Sequence, residues 1–168
     1  MPDHQILISI GSNIEREKHI RASRRALEAH FSDVACSSVY ESEAVGFDGS
    51  PFFNLVASAT THYGVSEVCQ ILKQIEHENG RRRQAKKFSS RTLDLDLLTY
   101  DALVTDEPVV LPREEILYNA FVLWPLAELV PSRRHPGEKT TYSDLWRAFD
   151  TRNQALWPIS FSWSNEQA

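Results

Sequence analysis

Cysteine is scarce in this 168-residue chain, which has only Cys36 and Cys69, each inside an apolar-patterned segment. Neither sits at metal-ligand spacing, so the sequence predicts two buried thiols and neither a disulfide nor a zinc site. Long apolar runs are missing as well, and none approaches the roughly 20 residues that span a bilayer. The first residues lack the basic start and continuous apolar stretch of a secretory leader. These absences predict a soluble, cytoplasmic protein that contacts no membrane. No linker, repeat or low-complexity tract divides the chain. At 42% hydrophobic residues it has the apolar content for one domain over 1–168 with a substantial core. Only the tail over 150–168 has no assignment.

A further absence is local. From Asn79 to Leu93 there is no Asp or Glu, although the formal net charge of the chain is -5. The same stretch holds Arg81, Arg82, Arg83, Lys86, Lys87 and Arg91, six of the 18 Lys and Arg. A basic run can be a solvated face, or it can meet a phosphate backbone. The negative charge elsewhere and the lack of a recognisable binding module argue against nucleic acid.

The basic run leads straight into Arg91-Thr92-Leu93-Asp94-Leu95-Asp96-Leu97-Leu98. Strand side chains alternate faces, so Leu93, Leu95 and Leu97 point one way while Asp94 and Asp96 share the other. Two rises put the acids' Cα atoms roughly 6.6 Å apart, within reach of one metal or of a bridged pair. Oxygen ligands of this kind suit Mg²⁺, which takes one or two carboxylates and completes its shell with water and phosphate. Alternating acid and leucine is also how any half-exposed strand looks. The cations next door favour the metal reading, because polyphosphate charge that Mg²⁺ leaves uncompensated must be met by Arg or Lys.

Around this stretch the pattern predicts strands and helices in alternation. Ile6 to Ile10 reads as a buried strand ending at Gly11-Ser12-Asn13, with Gly11 permitting close packing or a positive φ. Ile20, Leu27 and Phe31 fall at helical spacing over Glu17 to Phe31. Val34 to Tyr40 and Phe53 to Thr61 read as strands flanking a loop from Glu41 to Phe52. Val68, Cys69, Leu72 and Ile75 mark a helix from Ser66 to Asn79, with Ser66 as N-cap and Gly80 as the stop. Tyr100 to Leu111 reads as a hairpin, Phe121 to Val130 as a short apolar helix, and Thr141 to Phe149 as another with Leu145, Trp146 and Phe149 inward. From the residues alone, Asn54 is a strand-start residue or a hydrogen-bonding carboxamide. Phe52 and Phe121 are core or stacking aromatics. Glu76 on the same terms is a surface residue pairing with Lys73.

From Lys87 to Leu98 the chain resembles 6-hydroxymethyl-7,8-dihydropterin pyrophosphokinase, an enzyme family of folate biosynthesis. The signature is a basic residue, an aromatic, two small residues, then Arg-Thr-Leu-Asp-Leu-Asp and two aliphatics. The resemblance extends to Ile10-Gly11-Ser12-Asn13, Asn54, Glu76, Gly80 to Arg83 and Phe121 to Leu126, covering roughly residues 5 to 135. It implies an α+β fold, a ferredoxin-like βαββαβ core with helices on an antiparallel sheet and additions at the C-terminus. It implies transfer of pyrophosphate from ATP, as co-substrate, to the hydroxymethyl group of a reduced pterin, releasing AMP. Asp94 and Asp96 would hold two Mg²⁺ ions. Arg81, Arg83 and Arg91 would be catalytic, and Glu76, Lys87, Leu97 and Arg113 would bind ATP. Ser42, Val45, Phe52, Asn54, Phe88 and Phe121 would bind the pterin. The expected partners are these two small molecules, with no nucleic acid and a monomeric chain. No side chain is an evident general base.

The chain departs from the family pattern at four places. Arg113 follows Pro112 where a His is usual, Asn119 stands where an Arg is usual, Ser89-Ser90 replaces a pair commonly ending in Pro, and Ser42-Glu43-Ala44 replaces Thr-Pro-Pro. Losing an Arg at 119 removes a bidentate phosphate donor, and losing prolines makes the loop after Ser42 less preorganised. These departures leave open an alternative, a diverged non-catalytic relative that binds pterin or nucleotide.

Overall fold

The computed structural model describes residues 3–42, 51–80, 93–152 and 154–163. Its frame is one antiparallel sheet. Strand β1 (His4–Ser12) lies near the middle, paired with β4 (Phe52–Thr61) on one side and β5 (Asp94–Tyr100) on the other. On the far side of β4 lie β2 (Ser32–Cys36) and β3 (Val39–Ser42), and β6 (Leu156–Ile159) adds to β3. Being central, β1 has to be apolar on both faces: Ile6, Ile8 and Ile10 enter one core and Leu7 the other.

Helices α1 (Arg16–His30) and α2 (Val65–Glu78) cover the first face. Ile20 and Leu27 on α1, and Val68, Leu72 and Ile75 on α2, pack there against Ile6, Ile8, Ile10, Leu55, Ala57, Leu93, Leu95 and Leu97. The one-turn α3 (Glu115–Tyr118), then α4 (Ala120–Leu129) and α5 (Tyr142–Arg147), lie over the second face, where Val122, Leu123 and Leu126 meet Leu7, Val56 and Leu98. Leu98 follows Asp94 and Asp96 onto this second face by alternation, and the β1–β5 register shifts there: Ile8 faces Leu97 and Leu7 faces Thr99, leaving Leu98 as the extra residue of a bulge that returns Tyr100 to the first core.

Most of the expected elements are present, with some corrections. The single strand expected over Val34 to Tyr40 is broken at Ser37-Ser38. The Ser37 hydroxyl accepts the Val56 N–H (3.0 Å), and Glu128 of α4 accepts from the Ser38 N–H (2.9 Å). Side chains join the backbone bond from the Ser37 N–H to the Val56 carbonyl (2.9 Å) in holding the chain there, so β2 and β3 are halves of one strand, and β1-α1-β2/β3-β4-α2-β5 is the βαββαβ succession. Helix α2 is capped by Gly64 instead of Ser66, the Gly64 N–H bonding Glu67 Oε1 at 3.1 Å. Gly80 ends α2 at φ 90°, as its position predicts. The expected hairpin over 100–111 is one isolated bridge, Thr105 to Leu111. Beyond α5 the described part of the tail packs on the first face: after β6, Phe161 meets Phe53 edge-on, and Arg21 and Arg24 of α1 lie over the Phe161 and Trp163 rings. Among the described residues no helix is long and apolar enough to cross a membrane. Cys36 and Cys69 are free and half-buried, and burial pushes the Cys36 thiol up to about 11.

Candidate active site

Residues directly opposite one another across antiparallel strands share a face. Asp94 pairs with Gly11, Gly11 with Asn54, and Asn54 with Tyr40, so these four form one row across β5, β1, β4 and β3. Asp96, opposite Ser9, and Phe52, opposite Ser42, flank that row on the same face. It is the second face, since the Tyr40 hydroxyl donates to Glu128 of α4 (2.6 Å) and the Tyr40 ring packs on Trp124. The two acids thus alternate with buried Leu95 and Leu97 and remain half-exposed together, as strand periodicity predicts.

Gly11 lies at the centre of the row for steric reasons. A Cβ there would sit 3.2 Å from Asn54 Oδ1 and 3.8 Å from the Phe52 ring, so the missing side chain leaves the Asn54 carboxamide in place. The φ of Gly11 is not positive, so of the two roles expected for it, close packing is the one realised. Asn54 is buried and its Nδ2 donates to Ser42 Oγ at 2.7 Å, which orients the amide. Two inter-strand spacings separate Asn54 from Asp94, on the order of 10 Å. Phe121, at the second residue of α4, is half-buried against the core of the same face.

The first face supports this row from behind. Glu76 is 9% exposed, which rules out a surface pairing with Lys73, and its Oε2 accepts the Leu95 N–H at 2.7 Å. A helix side chain therefore holds the edge strand at the residue between the two acids. The side chain of Leu97 packs in the first core at 4% exposure, so an ATP contact at this position would come from its backbone.

Arg113 lies against the acids. Its guanidinium is 3.5 Å from Asp96 Oδ1 and its Nε donates to Glu115 at 3.0 Å. Burial pulls the Arg113 pKa down, but Asp96, Glu115 and Asp94 outweigh it and hold the group above its usual value. With Val109, Val110, Glu114 and Tyr118, Arg113 and Glu115 line a cavity of about 390 Å³ beside the acid pair. Tyr118 and the two valines were not singled out in the sequence, since nothing in their spacing marks a pocket. Val45, Arg81, Arg83, Lys87, Phe88 and Arg91 lie outside the described residues. Among the described residues no three His, Cys, Asp or Glu gather into a metal cage. Two carboxylates on an open face nonetheless match Mg²⁺, which is held by one or two protein carboxylates with water and phosphate completing its shell.

The fold and this geometry have relatives. A family model described as 7,8-dihydro-6-hydroxymethylpterin-pyrophosphokinase (HPPK) matches residues 7–131. The 2-amino-4-hydroxy-6-hydroxymethyldihydropteridine pyrophosphokinase of Bacillus subtilis is 34% identical over 127 residues, 73% of this chain and 75% of that protein. The protein of the same name from Pseudomonas aeruginosa is 35% identical over 137 residues, 79% of this chain and 84% of its own. Among solved structures, a Plasmodium falciparum HPPK-DHPS triple mutant with pteroate superposes at a TM-score of 0.73 and 11% identity over 90% of this chain. This chain spans 44% of that longer one, and at such identity the likeness speaks for the fold alone.

Proposed function

Since the chain belongs to the 6-hydroxymethyl-7,8-dihydropterin pyrophosphokinase family, we propose that the row from Asp94 to Asn54 is where pyrophosphate passes from ATP to the pterin hydroxymethyl group. The transfer itself is the activity of the family: an ATP-dependent diphosphotransfer in folate biosynthesis that leaves AMP. The observation that carries the placement is the shared face, with a carboxamide and two carboxylates on the order of 10 Å apart across a glycine.

At the pterin end, Asn54 offers a donor and an acceptor to the amide edge of the heterocycle. Ser42 fixes which way the carboxamide points. Phe52 and Phe121 supply flat apolar surface on the same face, suited to stacking. At the other end Asp94 and Asp96 would hold Mg²⁺, two ions in this reading. Bound between these carboxylates and the triphosphate, such an ion would supply charge neutralisation for the transfer. Arg113 has a fork of donors poised between Asp96 and Glu115 and can exchange a carboxylate partner for a phosphate oxygen. It thereby supplies part of the charge that Asn119 cannot. Arg81, Arg83, Lys87 and Arg91 provide the remaining positive charge, and Phe88 and Val45 complete the pterin side. The cavity lined by Val109, Val110 and Tyr118 beside Arg113 would take the nucleoside half of ATP, and Glu76 and the backbone at Leu97 complete the nucleotide side in this reading. The working compartment is the cytoplasm.

The test is direct. Incubated with Mg-ATP and 6-hydroxymethyl-7,8-dihydropterin, the protein forms AMP and pterin pyrophosphate in equal amounts. ATP turnover without the pterin product, or none at all, would overturn the assignment.

A further inference from the structure

The pterin-facing residues Ser42, Phe52 and Asn54 alternate along β3 and β4 with residues of the opposite face, and those are gripped by a polar cluster. Arg16, at the first residue of α1, donates from one nitrogen to two acceptors: Glu41 Oε2 at 2.7 Å and the Pro51 carbonyl at 3.1 Å. The two acceptors come from the outgoing and the incoming arm of the β3–β4 connection. The same guanidinium lies over the Phe53 ring, 3.9 Å from its centroid. The other oxygen of Glu41 accepts from Trp157 Nε1 at 3.1 Å, and Trp157 is the β6 residue directly opposite Glu41. Glu41 in turn pairs with Phe53 across β4. One carboxylate is thus held by a helix, by a strand and through its own ladder, and both side chains of the ion pair are about three-quarters covered (28% and 23% exposed).

We propose that Arg16, Glu41 and Trp157 form a clamp that positions the pterin end of the site, with β6, beyond the matched residues 7–131, supplying one jaw. A charged donor shared between the two arms fixes their separation, because lengthening either contact loses a charge-assisted hydrogen bond. With the arms fixed, Ser42 stays opposite Phe52 and within 2.7 Å of the Asn54 amide on the other face. This does the work that proline would do at 43 and 44, where the chain has Glu43-Ala44. The three residues touch no reacting atom in this scheme and act only through Ser42, Phe52 and Asn54. The inference rests on the pterin reading of that face.

The experiment measures pterin affinity by fluorescence quenching in the presence of Mg²⁺ and a nonhydrolysable ATP analogue, alongside steady-state kinetics and a thermal melt. Arg16→Ala should weaken pterin binding and raise the pterin KM about tenfold, the loss of one well-placed charged contact, while kcat and the KM for ATP stay at wild-type values. Arg16→Lys keeps a cation with several donors and should recover most of the affinity. Trp157→Phe, which keeps an aromatic ring and removes the indole N–H, should cost about two- to threefold and serves if Arg16→Ala folds poorly. Variants that melt lower yet bind pterin as the wild type does would overturn the clamp and leave a purely structural ion pair. Equal losses in pterin and nucleotide affinity would overturn it too. A wild-type protein that binds no pterin would sink the functional reading, and the clamp with it.

Discussion

The two faces of the sheet are built from the same strands and have opposite characters. On the first, Ile6, Ile8, Ile10, Leu55, Ala57, Leu93, Leu95 and Leu97 form a continuous apolar surface covered by α1 and α2. On the second, α3, α4 and α5 meet Leu7, Val56, Leu98 and the Tyr40 ring, and the neighbouring positions carry Ser9, Gly11, Asn54, Asp94 and Asp96. One face therefore provides stability and the other chemistry. Rigidity reaches the polar face through the backbone, as where Glu76 holds Leu95 between the two acids and Arg16 holds Glu41 beside Ser42.

The contrast is tested most severely at Asp96. Asp96→Ala should reduce AMP formation by at least about a thousandfold, since a carboxylate that holds a charge-neutralising ion has no substitute. Its melting temperature should stay near that of the wild type, because the side chain is half-exposed. Unaltered turnover would refute the metal role. Leu27→Ala on the first face should do the opposite. Leu27 is fully buried, so a cavity there costs about 2–5 kcal/mol in a denaturant titration, with kcat and both KM values unchanged in the folded enzyme. Gly11→Ala probes the centre of the polar row. The added methyl meets Asn54 Oδ1 at 3.2 Å, so the pterin KM should rise about tenfold as the carboxamide shifts, with little effect on the KM for ATP.

The smallest effect expected is on pH dependence, away from the site. His135 is buried, and its Nδ1 accepts the N–H groups of Gly137 (3.0 Å) and Glu138 (2.9 Å). Burial holds its pKa below 6.5, with the Glu138 charge opposing. The unfolded chain therefore binds this proton more readily than the folded one. The stabilisation is complete above about pH 6.5 and is lost as pH falls below it. Wild-type protein should lose more melting temperature between about pH 7 and about pH 5 than His135→Asn, which keeps an acceptor and cannot titrate.

Much of this was legible in the chain because it depends on short-range periodicity. Asp94 and Asp96 share a face by the two-residue period of a strand, α2 stops at Gly80 because a left-handed residue suits glycine, and the helix faces follow from Ile20, Leu27, Val68, Leu72 and Ile75. The break at Ser37-Ser38 was hidden because its cause, Glu128, lies 90 residues away in sequence. The burial of Glu76 was hidden for a similar reason, its partner being the backbone N–H of a strand 19 residues on. Leu97 was assigned to the nucleotide by resemblance, and the bulge at Leu98 did not alter the face it shares with Leu95.

The sequence by itself determined the family, the succession of strands and helices and the pairing of the two acids, since each is written in neighbouring residues or in their local spacing. Tertiary structure alone decided that Gly11 would stand between Asn54 and Asp94, that Arg113 would lie against Asp96, and that Trp157 would reach Glu41 across 116 residues. Strand register and chain reversal bring such groups together, and neither leaves a mark in the order of the residues that finally touch.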